Sequence, residues 1–177
     1  VASLLFLYNP EKDEDSLSKK AVIALFSYHH GNTEKVAKVF AEALNAEILK
    51  PEDIPEADYG RIVGFGSGIY GEKHHRSLLE LADRLPRVEG KSCFLFSTMG
   101  IPVAFGESSI QSAIPKSHRA LRERLKSKGY VIAGEFSCPG FNTNMFLRHL
   151  GGVNKGRPND VDREKAREFI EGIKSKL

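Results

Sequence analysis

Residues 21–26 (Ala-Val-Ile-Ala-Leu-Phe) form an unbroken apolar run, and residues 34–44 form an amphipathic one. Between them lies Ser27-Tyr28-His29-His30-Gly31-Asn32-Thr33. An apolar run of this length suits a strand buried on both faces. The second run puts Val36, Val39, Phe40, Ala43 and Leu44 on one helical face, with Glu34, Lys35, Lys38 and Glu42 elsewhere. Strand, polar turn with one glycine, helix is the arrangement that binds anions: turn N–H groups point inward and the helix dipole adds partial positive charge. The hydroxyls of Ser27 and Thr33 and the amide of Asn32 can donate to phosphate oxygens. The turn has no Walker lysine, so it is not built for a nucleoside triphosphate.

The same alternation continues along the chain. Further strands are expected at 46–49, 61–66, 92–98 and 130–137, and further helices at 76–85, 116–128 and from Asp162 onward, with Asp162 as N-cap. Gly129 should stop the 116–128 helix. Residues 66–75 read as a glycine-rich loop, and 100–115 and 138–160 as long loops. Strands alternating with helices build a parallel sheet covered on both faces, with ligands at its carboxyl edge where the strand order reverses. The expected fold is α/β: a three-layer, doubly wound, five-stranded parallel sheet of order 2-1-3-4-5, over residues 21–177. Residues 1–20 form an N-terminal arm whose apolar stretch at 4–8 packs on its own domain or on a neighbouring chain.

Composition narrows the class. A chain of 177 residues, 41% hydrophobic and 28% charged, supports a real core. A net charge of +3 is too small to argue for nucleic acid. No apolar run approaches membrane-spanning length. Cys93 and Cys138 are far apart and in no CxxC pattern, which fits a reducing, cytoplasmic setting and two inert packed thiols.

The motifs resemble a known family. Ala21-Val-Ile-Ala-Leu-Phe-Ser27 followed by Gly31-Asn32-Thr33 is similar to the flavodoxin signature. The resemblance continues through Ile62-Val-Gly-Phe-Gly-Ser-Gly-Ile-Tyr70 and Phe94-Leu-Phe-Ser-Thr98, and covers about residues 21–176. Glu135-Phe-Ser-Cys-Pro-Gly-Phe141 and Gly151-Gly-Val-Asn-Lys-Gly-Arg-Pro158 further resemble uncharacterised members of that family. The resemblance implies FMN, its phosphate in the turn at Ser27, His29, His30, Gly31, Asn32 and Thr33. The isoalloxazine would lie between the loops at Gly68, Ile69 and Tyr70 and at Ser97, Thr98, Met99 and Gly100. Tyr70 is the expected stacking partner, and with no Trp in the chain Ile69, Met99 or Phe141 would cover the other face. In the family a peptide like that at Gly68 flips toward reduced flavin, and glycine tolerates both states. The implied function is electron transfer between redox partner proteins, with no side chain acting as acid or base. The alternative is an FMN-dependent NAD(P)H:quinone-type oxidoreductase, with a homodimer completing a pocket above the ring.

Two features compete with this reading. Gly66-Ser-Gly-Ile-Tyr-Gly71 is formally G-x-G-x-x-G, but the dinucleotide fingerprint needs a helix opening on those glycines, and the helix is expected only near Arg76. The glycines suit close approach to a flat ring instead. The pairs His29-His30 and His74-His75 follow the first and third strands and so should reach one edge of the sheet. They carry no array of Cys or carboxylate suited to a metal. Either they are solvated loop residues, or they form with Lys73 and Arg76 a cationic surround for an anion. Such a surround would favour anionic reduced flavin and make its potential less negative. The 138–160 loop, with Arg148, His149, Lys155 and Arg157, reads as a lid, a contact for an acidic partner, or a structural insertion.

Overall fold

In the computed structural model, residues 20–28, 30–144, 149 and 151–177 are described. The N-terminal arm, His29 and Arg148 fall outside these residues. The first strand, β1 (Val22–Phe26), is followed by α1 (Asn32–Leu44), β2 (Glu47–Leu49) and a 3-10 turn (Glu56–Arg61). Next come β3 (Ile62–Tyr70), β4 (Lys73–His74), α2 (Arg76–Arg84) and β5 (Ser92–Met99). A 3-10 turn (Val103–Phe105) leads to α3 (Glu107–Ser117), α4 (Arg119–Ser127), β6 (Val131–Pro139) and α5 (Asp160–Ile173). The parallel sheet runs β2-β1-β3-β5-β6, with β4 pairing antiparallel to β3 at one end. With that hairpin strand set aside, this is the expected order 2-1-3-4-5.

The core lies in two layers because the strands alternate. In β5, Cys93 and Leu95 face α2 and α4, where they meet Leu78, Leu81, Leu121 and Leu125. Phe94 and Phe96 face α1 and α5, where they meet Val36, Phe40, Ala166 and Ile170. Phe40 sits edge-on to Phe94, Phe96 and Phe136, at 5.2, 5.0 and 5.7 Å between ring centroids. Such edge-to-face geometry is the favoured one for aromatic pairs. Cys93 and Cys138 are both buried. Burial pushes the Cys93 thiol up to about 12 and the Cys138 thiol upward as well, so neither is a thiolate near neutral pH. Among the described residues, no helix is long and apolar enough to cross a membrane.

Three expected boundaries are corrected. The 66–75 loop is instead the second half of β3 and a short hairpin. The strand survives its glycines because rings of β5 fill the missing side-chain space. A Cβ on Gly64 would lie 2.6 Å from Phe94 Cζ, and one on Gly66 only 2.1 Å from Phe96 Cζ. The 100–115 loop contains most of α3, which buries Ile110 and Ile114 and carries Pro115 in its last turn. Proline removes one helical hydrogen bond, and the chain breaks soon after, at His118 between α3 and α4. Asp162 is not the N-cap of α5. Asn159 is, and Asp162 closes the capping box from the third helical position while pairing with Arg157. The stop at Gly129 is where it was expected, with φ at 91°.

Candidate functional site

The chain leaves β1 through Ser27 and Tyr28 and turns into α1 on two left-handed residues, His30 (φ 57°) and Gly31 (φ 61°). The N-cap position is Gly31, which has no side chain to cap the helix. Ser27 Oγ accepts the Glu34 N–H at 3.3 Å. Among the described residues, nothing accepts from the Asn32 and Thr33 N–H groups, so the first turn of α1 offers two donors at the positive end of a helix dipole. Thr33 Oγ1 meets Thr98 Oγ1 at 2.8 Å, joining this turn to the end of β5. Asn32 Nδ2 donates to the Phe141 carbonyl at 2.8 Å, while Asn32 Oδ1 is buried with no hydrogen-bond partner.

These groups form one wall of a cavity. Ser27, Asn32, Thr33 and Thr98 line it on one side and Gly68, Ile69 and Tyr70 on the other. The topology explains the meeting: β1 and β3 are neighbours, and so are β3 and β5. The Tyr70 ring folds back to about 3.1 Å from where a Cβ on Gly68 would stand. Gly140, Asn142 and Asn144, after β6, complete the lining. Sequence reasoning missed these three. Their one linear signal is a Gly-Phe-Asn-Thr-Asn stretch just past the carboxyl end of the last strand, the edge where such folds bind ligands.

Other candidate residues lie elsewhere. Ser97 and Met99 flank Thr98 in an extended strand, so both point to the opposite face of the sheet. Met99 packs with Ile110 and Ile114, and Ser97 is fully buried. Gly100 abuts Asn142, whose Nδ2 is 2.3 Å from a Gly100 Cβ position. His30 Nε2 bonds Thr143 Oγ1 at 2.8 Å and its ring lies 4.6 Å from that of Phe141, tying the β1 turn to the loop after β6. Among the described residues, Lys73, His74, His75 and Arg76 do not gather around the cavity: Lys73 lines a separate surface hollow with Glu72, Lys116 and Arg119. Arg76 pairs with Glu80 at the surface. His75 stacks on Phe26 at 3.4 Å between centroids and accepts the Ser77 N–H as N-cap of α2. His74 is buried beneath the cavity wall. The G-x-G-x-x-G stretch runs from strand into hairpin, and no helix opens on it.

Beneath the site runs a buried polar row that no linear pattern announces. Ser67, Ser97 and Ser137 stand in register on three adjacent strands. Ser97 Oγ lies 2.8 Å from His118 Nε2, and His118 Nδ1 lies 3.0 Å from Glu135 Oε2. Burial pushes the Glu135 carboxyl up, but hydrogen bonds from His118 and Arg122 outweigh it and hold its pKa below the usual range. The order serine, histidine, carboxylate matches a nucleophile triad. Ser97 has no exposed surface, however, and its hydroxyl donates to Ser137, so no substrate reaches it. Among the described residues, no group of His, Cys, Asp and Glu is placed to hold a metal ion.

His74 gives this row a measurable signature. Burial, and then the nearby His118, lower its pKa well below the ordinary imidazole value. The native chain thus holds His74 neutral where the unfolded chain is protonated. Its contribution to stability is complete above the unfolded value of about 6.5 and is lost as pH falls below it, at up to about 1.4 kcal/mol per pH unit. Urea unfolding at successive pH values should show this acid loss, and His74→Gln should flatten it. An equal slope in the variant would remove His74 as its source.

This sheet order, with an open helix N-terminus between β1 and β3, is the flavodoxin-like fold. Oxidised flavodoxin 2 from Bacillus cereus shares it, with a TM-score of 0.59 and 16% identity over 89% of this chain and 99% of that one. A short-chain flavodoxin associated with a non-canonical PDU bacterial microcompartment gives 0.58 and 16%, over 89% and 98%. A flavodoxin from the domain Archaea gives 0.54 and 14%, over 89% and 97%. In sequence, the chain is 43% identical over 159 residues to the uncharacterized protein MJ0298 of Methanocaldococcus jannaschii, covering 87% of this chain and 97% of that protein. It belongs to the same family as that protein. No protein-family model matches the chain.

Proposed function

We propose that the chain binds FMN in this cavity and carries electrons between redox partner proteins. One observation carries the reading: Asn32 and Thr33, whose N–H groups meet no acceptor among the described residues, line a cavity whose far wall is Gly68, Ile69 and Tyr70. The donor set suits a phosphate, because N–H groups and the Ser27, Thr33 and Thr98 hydroxyls surround the helix N-terminus. His30 and Gly31 would complete the turn around it. The opposite wall suits a flat ring, with Tyr70, folded against Gly68, supplying an aromatic face. Gly100 and Asn142 would border the ring on the β5 side. Bound there, FMN supplies a ring that accepts electrons. The chain's residues hold it, orient it and leave one edge open to a partner.

A second reading, an FMN-dependent NAD(P)H:quinone-type oxidoreductase, has one observation in its favour. A cavity of about 470 Å³ adjoins the first at Ser27 and Tyr28, with Leu25, Ile48 and Leu49 as apolar walls and Lys50 at its rim. That volume suits a second small ligand. The absorbance spectrum of the purified chain, before and after NADPH, tests both. A yellow protein that releases FMN on denaturation and keeps its colour with NADPH alone is the expected result. Bleaching by NADPH alone transfers the assignment to the reductase. A colourless chain that takes up no added FMN overturns both.

A further inference from the structure

The proposed FMN site leaves one buried group unused. His74 stands directly opposite Ile69 in the β3–β4 hairpin, and Cα atoms paired this way are roughly 4.5–5.5 Å apart. Ser67 links it to the cavity wall. The Ser67 hydroxyl donates to the Gly68 carbonyl at 2.7 Å, so its oxygen accepts the His75 N–H at 3.0 Å and faces His74 Nδ1 at 3.0 Å. With the serine hydrogen spent on Gly68, Nδ1 must be the donor of that last bond. The remaining nitrogen, His74 Nε2, then presents a lone pair. It is buried and has no hydrogen-bond partner, an arrangement that costs free energy unless the group is used.

The surroundings leave His74 free to respond to the cavity. The His118 ring lies 4.6 Å from that of His74 between centroids, and it is anchored to Glu135 and Ser97. On the packed helices Lys116 of α3 pairs with Glu72, Arg119 of α4 with Glu123, and Arg122 with Glu135, while Lys73, beside His74 on β4, is exposed. On β3, Tyr70 has a pKa raised by burial, so it is neutral through the imidazole range. A new charge in the cavity adds to this fixed background and would be felt at His74.

We propose that negative charge on a flavin ring held against Gly68 and Ile69 raises the proton affinity of His74, so that in acid solution reduction draws a proton onto it. The inference rests on the FMN reading above. Two electrons from a low-potential reductant and one solvent proton leave the ring with a single negative charge. A second solvent proton ends on His74 Nε2, and no other bond in the chain is made or broken. At about 10 Å and an effective dielectric constant near 20, a unit charge changes proton affinity about tenfold.

The test is histidine NMR on the FMN-loaded chain from about pH 4 to 8.5, a range carried well to the acid side because burial lowers the proton affinity of His74. It is run oxidised and again reduced by excess dithionite, which is itself oxidised to sulfite. The His74 signal, assigned by its loss in His74→Gln, should titrate about one pH unit higher in the reduced protein. Between the two His74 midpoints the equilibrium constant for reduction should fall with pH by up to about tenfold more than in His74→Gln, and above them the two proteins should show the same slope. An identical His74 midpoint in the two redox states overturns the inference while leaving FMN binding intact. Failure to bind FMN overturns both readings. If His74→Gln does not fold, the pH dependence of the His74 resonance pattern in the unaltered chain, oxidised against reduced, decides alone.

Discussion

Asn32→Asp lowers FMN affinity about a hundredfold and leaves the fold in place. Aspartate is isosteric with asparagine and well tolerated in the first turn of a helix, where the dipole favours negative charge. Asn32 Oδ1 already stands buried and unpaired in the cavity wall, so the new charge is placed next to the two N–H donors. It competes for them and repels the phosphate. Two unit charges about 5 Å apart at an effective dielectric constant near 20 interact by about 3 kcal/mol, roughly two orders of magnitude in the dissociation constant. Asn32→Ala is the control. It also loses the bond to the Phe141 carbonyl but introduces no charge, so the difference between the variants isolates electrostatics. Flavin fluorescence titrations give both constants, and circular dichroism checks the fold. Equal affinities in the two variants would move the phosphate away from α1.

A large loss of stability is expected at Gly66→Ala. The added carbon would sit 2.1 to 2.4 Å from three ring atoms of Phe96. That ring is fully buried and held by Phe40 and Phe94, with centroids 5.0 and 5.8 Å away. It cannot swing aside without disturbing the α1–α5 layer. Overpacking of this kind costs about 3 kcal/mol or more. Gly60→Ala is the matched comparison, since nothing lies within 4 Å of its Cβ position, and it should stay within about 0.5 kcal/mol of the parent. Adding Phe96→Leu to Gly66→Ala should recover part of the loss. Urea midpoints of the four proteins settle it, and a Gly66→Ala chain as stable as Gly60→Ala would show that the sheet yields where packing says it cannot.

How much of this was legible in the sequence follows from how local each signal is. The strand–helix alternation was readable because its periods are carried by neighbouring residues, and it gave the sheet order and the turn at Ser27–Thr33. The extension of β3 through Gly66 and Gly68 was not, because the atoms that make it a strand are Phe94 and Phe96, about thirty positions on. Helix α3 was hidden by its own composition: Ser108, Ser109 and Ser112 are weak helix formers, and Pro115 reads as a breaker. The face of each β5 residue hung on a single step of register. Thr98 reached the cavity, while Ser97 and Met99, one position either side, faced the other way. The Ser97–His118–Glu135 row joins residues from three elements and exists only once the sheet is assembled. Ring-stacking glycines were anticipated, but at Gly64 and Gly66 the flat rings belong to the protein itself.

That last interlock also shapes how such a chain can change over generations. Each glycine of β3 and the phenylalanine beside it on β5 act as a single hereditary unit. A side chain gained on one strand is tolerable only after volume has been surrendered on the other. The accessible route runs first through a smaller residue at Phe96 or Phe94, a step that leaves a void and weakens the molecule. Single-letter drift at Gly64 or Gly66 is closed off, and the strand leading to the cavity is held constant by packing alone, whatever ligand it serves.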